Sequence, residues 1–306
     1  MENKKTRAIC LSGGGSKGAW AGGLVQQMIE ERGYDWDMYF GTSTGSLLIT
    51  LVPLHKMYKL KEAYTSVTNK DIFNVNPFTK KGKLNWLNAV WRTITKKSSL
   101  GEASNLEKKI RSFFSEDEYK QIKELGKVVY PCATEYGYGN EIYINNIDSD
   151  YNTYVKYTRA SASVPVAMDP VFIDNHWLLD GGVVQHVPIQ KAINEGSDEI
   201  DIIILREENP VDEKPWDMEG KVWFDVMLRT IDIMDTTVSK QNVIISQLVA
   251  KDKDVKLRFR YTPYKLTDNS LIFDKEQMLK WWQEGYEYGQ KEGMSSKFIL
   301  KKTIQN

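Results

Sequence analysis

The sequence predicts an α/β fold, a three-layer α/β/α arrangement with a central, mostly parallel sheet between helical layers. Three stretches carry that expectation. Arg7-Ala8-Ile9-Cys10-Leu11 reads as a buried strand that runs into Ser12-Gly13-Gly14-Gly15-Ser16-Lys17-Gly18 and then into a helix. A second strand-like run, Met38-Tyr39-Phe40, passes through Gly41-Thr42-Ser43-Thr44-Gly45 into an apolar run, Ser46 to Val52, that Pro53 closes. Far downstream, Ile200 to Leu205 reads as a central strand. The first two units make a βαβα start, which favours a parallel, doubly wound sheet with ligands at the carboxyl ends of its strands.

The first helix places Trp20, Leu24, Val25, Met28 and Ile29 at helical spacing, with Gly33 past its end. Residues 54 to about 125 are less regular and mostly helical, a helical insertion. No acidic residue lies between Asp71 and Glu102, while Lys80, Lys81, Lys83, Arg92, Lys96 and Lys97 alternate with Phe73, Phe78, Trp86, Leu87, Val90 and Trp91. A basic, aromatic-rich stretch such as 78–97 can lie in a membrane interface, with Trp at headgroup depth and cations on anionic phosphates. The bland alternative is that the aromatics pack inward and the lysines are solvated.

Lys127 to Thr134 and Glu141 to Ile144 read as strands separated by Gly137 and Gly139, and Tyr151 to Ser163 as a helix ending near Pro165. Trp177-Leu178-Leu179 is a short strand entering Asp180-Gly181-Gly182, and a helix follows Pro188 over Ile189 to Asn194. A long amphipathic helical pattern runs from Met218 to about Val249, by default a packing stripe and alternatively a lid or membrane-facing helix. Lys256 to Tyr261 reads as a last strand and Asp274 to Gly293 as a last helix. With no repeat, low-complexity tract or clear linker, one domain over 1–306 is the simplest reading. Its core is about 7–206, its helical insertion about 54–125 and its C-terminal helical extension about 207–306.

Composition excludes little but narrows the partners. Lys plus Arg and Asp plus Glu are both 41, so the formal net charge is zero, which argues against nucleic acid as a global partner. Cys10 and Cys132 each lie in an apolar run and read as buried, reduced and inert. The polar N-terminus has no apolar h-region, and nowhere do about 18 apolar residues follow one another. The expectation is a cytoplasmic protein without a Sec signal or transmembrane helix, peripheral at membranes if it meets them.

Gly41-Thr42-Ser43-Thr44-Gly45 between strand and helix describes a nucleophile elbow, in which small flanking residues let the backbone turn tightly and lift one serine hydroxyl above the sheet edge. The N–H groups and dipole of the helix beginning there favour negative charge beside the serine. A serine needs a base within reach and donors aimed at the oxyanion. The glycine loop can supply the donors, because backbone N–H groups of Gly13, Gly14 and Gly15 can converge as a nest, reinforced by the following helix N-terminus and by Lys17. The loop also fits G-x-G-x-x-G through Gly18, a dinucleotide fingerprint. That reading wants an acidic residue at the end of the next strand, where Ser43 stands instead. Three histidines, His55, His176 and His186, are candidate bases. The order Ser43, Asp180, His186 matches an α/β-hydrolase, but two strands before the elbow and six residues between acid and histidine count against it.

Gly13 to Gly18 after strand one, Gly41 to Gly45 after strand two and Asp180-Gly181-Gly182 far downstream resemble the patatin-like phospholipase family in identity, order and approximate spacing. The resemblance covers about 7–206 and extends to Arg159-Ala160-Ser161-Ala162-Ser163-Val164-Pro165 and to Val187-Pro188-Ile189. It implies a Ser-Asp dyad with Ser43 as nucleophile and Asp180 as general base. Gly13, Gly14, Gly15 and Lys17 would form the oxyanion hole, with Gly18, Gly41, Gly45, Gly181 and Gly182 as motif support. A free aspartate, with a pKa of about 3.9, is a feeble base at neutral pH, and burial beside Ser43 would raise it. His186 stands where the family pattern has asparagine and is read as orienting its neighbours. The implied activity is hydrolysis of phospholipid or lysophospholipid esters, with no metal and no cofactor demanded by the dyad. Acyl transfer on the same dyad, and a non-catalytic effector or interaction module that kept the fold, are the competing readings.

Overall fold

A computed structural model describes residues 5–79, 83–208, 218–220 and 222–291, which excludes Lys80, Lys81 and Gly293. Its strands are β1 (Arg7–Leu11), β2 (Met38–Thr42), β3 (Val128–Glu135), β4 (Asn140–Tyr143), β5 (Val171–Ile173), β6 (His176–Asp180), β7 (Glu199–Ile204) and β8 (Lys256–Tyr261). The helices are α1 (Gly18–Glu30), α2 (Thr44–Leu48), α3 (Met57–Thr65), α4 (Asn69–Ile72), α5 (Trp86–Ile94), α6 (Ser104–Phe113), α7 (Glu116–Glu124), α8 (Tyr151–Ser161), α9 (Ile189–Asn194), α10 (Trp223–Asp252) and α11 (Lys275–Lys291). The strands form one sheet in the order β5-β6-β3-β2-β1-β7-β8, with β4 also against β3. Pairing is parallel from β3 through β2, β1 and β7 to β8, and antiparallel where β4 and β6 meet β3 and where β5 meets β6.

Alternation along the strands makes the three layers. Ile9, Leu11, Tyr39 and Ile203 point to one face, where Trp20, Leu24 and Met28 of α1 and Met278, Trp281 and Trp282 of α11 bury against them. Ala8, Cys10, Phe40, Ile200, Ile202 and Ile204 point to the other, under Ile189 and Ile193 of α9 and Val243 and Ala250 of α10. A side-chain period of two gives a strand with both faces covered this uniformly apolar sequence. Cys10 and Cys132 are buried free thiols, and burial pushes the Cys132 thiol up to about 12.

Three local expectations change. The run after Ser43 yields only the five residues of α2, so no long helix dipole aims at the serine. The helix ending near Pro165 stops at Ser161, because Ser161 and Ser163 turn their side chains to backbone carbonyls. β5 was not anticipated; three residues after Pro170 are too short a run to show a period. The basic aromatic stretch divides. Phe73, Phe78 and Leu84 are buried, and Arg92 turns inward to Glu102 at 2.9 Å and to the Ser99 carbonyl. Trp86, Leu87, Val90, Trp91 and Ile94 of α5 are exposed, as are Lys83, Lys96 and Lys97. Among the described residues no helix is long and apolar enough to cross a membrane.

Candidate active site

Strand register brings the two distant motifs together. Thr42 pairs with Cys132 and Asp180 with Ala133, so Ser43, one residue beyond Thr42, and Asp180 reach the same height at the carboxyl end of the sheet. The bonds around them are specific. Thr134 donates its hydroxyl to the Asp180 carbonyl at 2.9 Å, the Asp180 N–H reaches the Ser163 carbonyl at 3.0 Å, and Thr42 donates to the Gln185 carbonyl at 2.9 Å.

Ser43 sits at φ 54°, ψ −121°, a region that a residue with a side chain rarely adopts. The elbow holds because its flanks lack side chains. A Cβ on Gly41 would stand 2.4 Å from the Gly45 carbonyl group, and one on Gly45 would stand 2.3 Å from the Leu11 carbonyl oxygen. Three further bonds pin the turn: the Ser43 N–H donates to Ser161 Oγ at 3.0 Å, and both the N–H and the hydroxyl of Ser46 donate to the Ser43 carbonyl.

The Ser43 side chain stands close enough to Asp180 to act on its ionisation, and the Gly182 N–H donates to the Asp180 carboxylate at 2.8 Å. Asp180 is almost wholly buried, and this desolvation pushes its pKa up to about 7 against the opposing influence of Ser43, the Gly182 N–H and His186. A carboxylate near 7 is as strong a base as an ordinary imidazole.

The glycine loop is held in place from outside its own segment. The Ser270 carbonyl accepts from the Ser16 N–H at 2.8 Å and from its hydroxyl at 3.0 Å, while Tyr64 donates to the Gly15 carbonyl at 2.8 Å and contacts Thr44 Oγ1. The loop does not present three converging donors. The Gly13 N–H is used by the His186 carbonyl at 3.2 Å. Among the described residues the Gly14 and Gly15 N–H groups donate to no backbone carbonyl outside the regular elements. The Lys17 side chain folds over Gly14, its Cε 3.3 Å from where a Gly14 Cβ would stand. Burial lowers its pKa, partly offset by the charges of Asp235 and Asp232.

His186 is buried beside the pair, its Nδ1 2.6 Å from the carboxylate of Asp235. Its Cε1 and the Ser43 Cβ both lie within 3.3 Å of the position a Gly13 Cβ would take. The Gly182 Cβ position is likewise 3.1 Å from Asp180 Oδ1 and 3.4 Å from both Asp235 Oδ1 and His186 Nδ1. Burial would raise the Asp235 carboxyl, but the charge and hydrogen bond of His186, with Lys17 and Arg206, hold it below the usual range. Asp235 had no sequence signal, since an acid on an amphipathic helix reads as its solvated face. Ser270 and Tyr64 were equally silent. His55 and His176 lie elsewhere, beside Asp35 and Glu135.

A small, mostly apolar cavity opens at Ser43, lined by Leu47, Leu60, Val67, Ile72, Phe113, Val164, Met168 and Leu271, with Lys109 as its charged wall. Such a lining suits a hydrocarbon chain, with Lys109, Tyr64 and Thr44 as its polar members. Among the described residues no group of three or more His, Cys, Asp or Glu is arranged to hold a metal ion.

Elbow serine, buried aspartate, glycine loop and apolar cavity meet at the carboxyl edge of a mostly parallel sheet in an α/β protein. Residues 9–193 match the patatin-like phospholipase family, and the chain belongs to that family. It is 22% identical over 198 residues to the uncharacterized protein YjjU of Escherichia coli (strain K12), covering 64% of this chain and 51% of YjjU. The chain thus spans about half the length of that curated relative. Its fold is also similar to the crystal structure of VipD from Legionella pneumophila, with a TM-score of 0.42 and 12% identity over 94% of this chain and 66% of that one.

Proposed function

We propose that this chain is a lipid acyl hydrolase that cleaves a phospholipid or lysophospholipid ester through an acyl-Ser43 intermediate. The observation that carries the reading is Ser43, held at an elbow, brought by strand register beside a buried Asp180 whose pKa is pushed up to about 7. In the proposed sequence Asp180 takes the hydroxyl proton as Ser43 Oγ attacks the ester carbonyl carbon. Negative charge then develops on the carbonyl oxygen, opposite the Gly14 and Gly15 N–H groups. Collapse breaks the ester C–O bond, and the leaving alcohol takes the proton from Asp180. Water, giving its proton to Asp180, then attacks the acyl-serine carbonyl carbon; collapse breaks its bond to Ser43 Oγ, which takes the proton back from Asp180 as the fatty acid is released. The acyl chain occupies the cavity beside Ser43, whose mostly apolar walls supply binding.

The test compares wild type, Ser43→Ala and Asp180→Asn on a panel of phospholipids, lysophospholipids and soluble short-chain esters. Each substitution is expected to lower fatty acid release by about a thousandfold or more. Equal release by wild type and Ser43→Ala, or no release by any of the three on any substrate, would overturn the reading.

A further inference from the structure

We infer that the surface above the carboxyl edge of the sheet is a docking face for an anionic phospholipid bilayer. It is formed jointly by α5 and by the tips of the β3–β4 and β5–β6 hairpins. This deepens the lipid hydrolase reading and rests on it for the choice of occupant.

The topology fixes where the hairpins point. β6 runs antiparallel to β3 and pairs Leu178 with Glu135, so the β5–β6 turn projects beyond the strand end at which Ser43 and Asp180 stand. The β3–β4 turn follows Glu135 on the same side. Both tips carry exposed aromatics: Phe172 and Trp177, with ring centroids 4.9 Å apart, on one, and Tyr136 and Tyr138 on the other. Across a groove lies α5, whose outer face carries Leu87 at 88% exposure and Trp91 at 65%, beside Val90 and Ile94. Trp86 extends this crest to Trp223 at the start of α10, at a centroid distance of 5.9 Å.

The groove between the crests supplies the charge argument. Arg92, Lys97, Tyr136, Trp177 and Met168 line it; Arg92 is buried and paired with Glu102, so the exposed cation of the groove is Lys97. Lys83 and Lys96 are exposed nearby in the chain, and no acid occurs between Asp71 and Glu102. The acid at the hairpin tip, Asp174, accepts from the Tyr157 hydroxyl. Trp and Tyr crests with Lys between them match the chemistry of a lipid headgroup layer, where aromatic rings sit amphipathically and each cation near an anionic surface contributes about 1 kcal/mol. Met168 lines both this groove and the cavity at Ser43, so the two hollows share a wall.

The experiment measures cosedimentation with vesicles of phosphatidylcholine alone, or of equal parts phosphatidylcholine and phosphatidylglycerol. The Ser43→Ala protein is used, so that binding is read without turnover. It is compared with the same protein carrying Leu87→Glu and Trp91→Glu, or Phe172→Ala and Trp177→Ala, or Leu125→Glu as a control. Leu125 is exposed and precedes β3, at the opposite sheet edge. The expected result is preference for the anionic vesicles, an affinity loss of about tenfold or more for either crest pair, and no change for the control. In a background with Ser43 intact, the crest variants should hydrolyse a soluble short-chain ester as wild type does. Three results would overturn the inference: no sedimentation with either vesicle, crest variants that bind like their parent, or crest variants that have lost short-ester hydrolysis as well. Crest substitutions that dissolve a dimer in gel filtration without changing vesicle binding would assign the face to a second copy of the chain and also overturn it. Vesicle binding without hydrolysis of any ester by wild type would keep the face and sink the hydrolase reading.

Discussion

At the scale of residues, chemistry turns on one buried carboxyl. In the proposed mechanism Asp180 must be ionised to accept the Ser43 proton, and burial pushes its pKa up to about 7, far above its ordinary value. The sign follows directly. Below that pKa the carboxyl is protonated and idle, so kcat/KM for a soluble ester should fall about tenfold for each pH unit below about 7 and level off above it. His186 and Asp235 face the same point and are part of the field that sets the midpoint. A pH-rate profile on wild type checks this, and a profile flat between about pH 5 and 8 would show that Asp180 is not the base. Ser43, Asp180 and the glycines were legible because a tight turn demands particular residue types in a short window. Asp235 was not, since its role comes from touching a residue 49 positions away in the chain.

At the scale of elements, α1 and α11 meet backbone to backbone. A Cβ on Gly23 would stand 1.8 Å from the Trp282 carbonyl oxygen, and one on Gly285 would stand 2.0 Å from the Trp20 carbonyl oxygen. No rotamer change relieves a clash with backbone, so the helices would have to separate. Gly285→Ala should therefore destabilise the fold by about 1–3 kcal/mol or more, although alanine is the better helix former. Urea unfolding reads this as a lower midpoint with an unchanged slope; an unchanged or higher midpoint would show that the interface yields. Sequence periodicity placed both helices to within a few residues. It could not say that their glycines face one another, because helical spacing marks an apolar face without naming its partner.

At the scale of the molecule, the family match ends at residue 193, yet the last third completes what precedes it. β8 extends the sheet beside β7, α10 covers one face, α11 covers the other, and Ser270 clamps the glycine loop. We propose that the chain folds as one unit. A protein ending after Leu205 should then expose both cores, bind a hydrophobic dye and lose a cooperative urea transition. A sharp transition with full activity on a short ester would instead make the last third dispensable.

By itself the sequence determined the fold class, the two turns that carry Ser43 and the glycine loop, and the Asp180 strand end. Strand alternation and turn geometry are local, and local constraints are written in adjacent residues. Only the tertiary structure decided that Gly13 spends its N–H on His186, that Asp235 from α10 meets that histidine, and that α5 leaves its apolar face outward beside two aromatic hairpin tips. Each of these depends on which surfaces meet once the sheet has formed, and a burial pattern with a period of two or 3.6 residues carries no record of its partner.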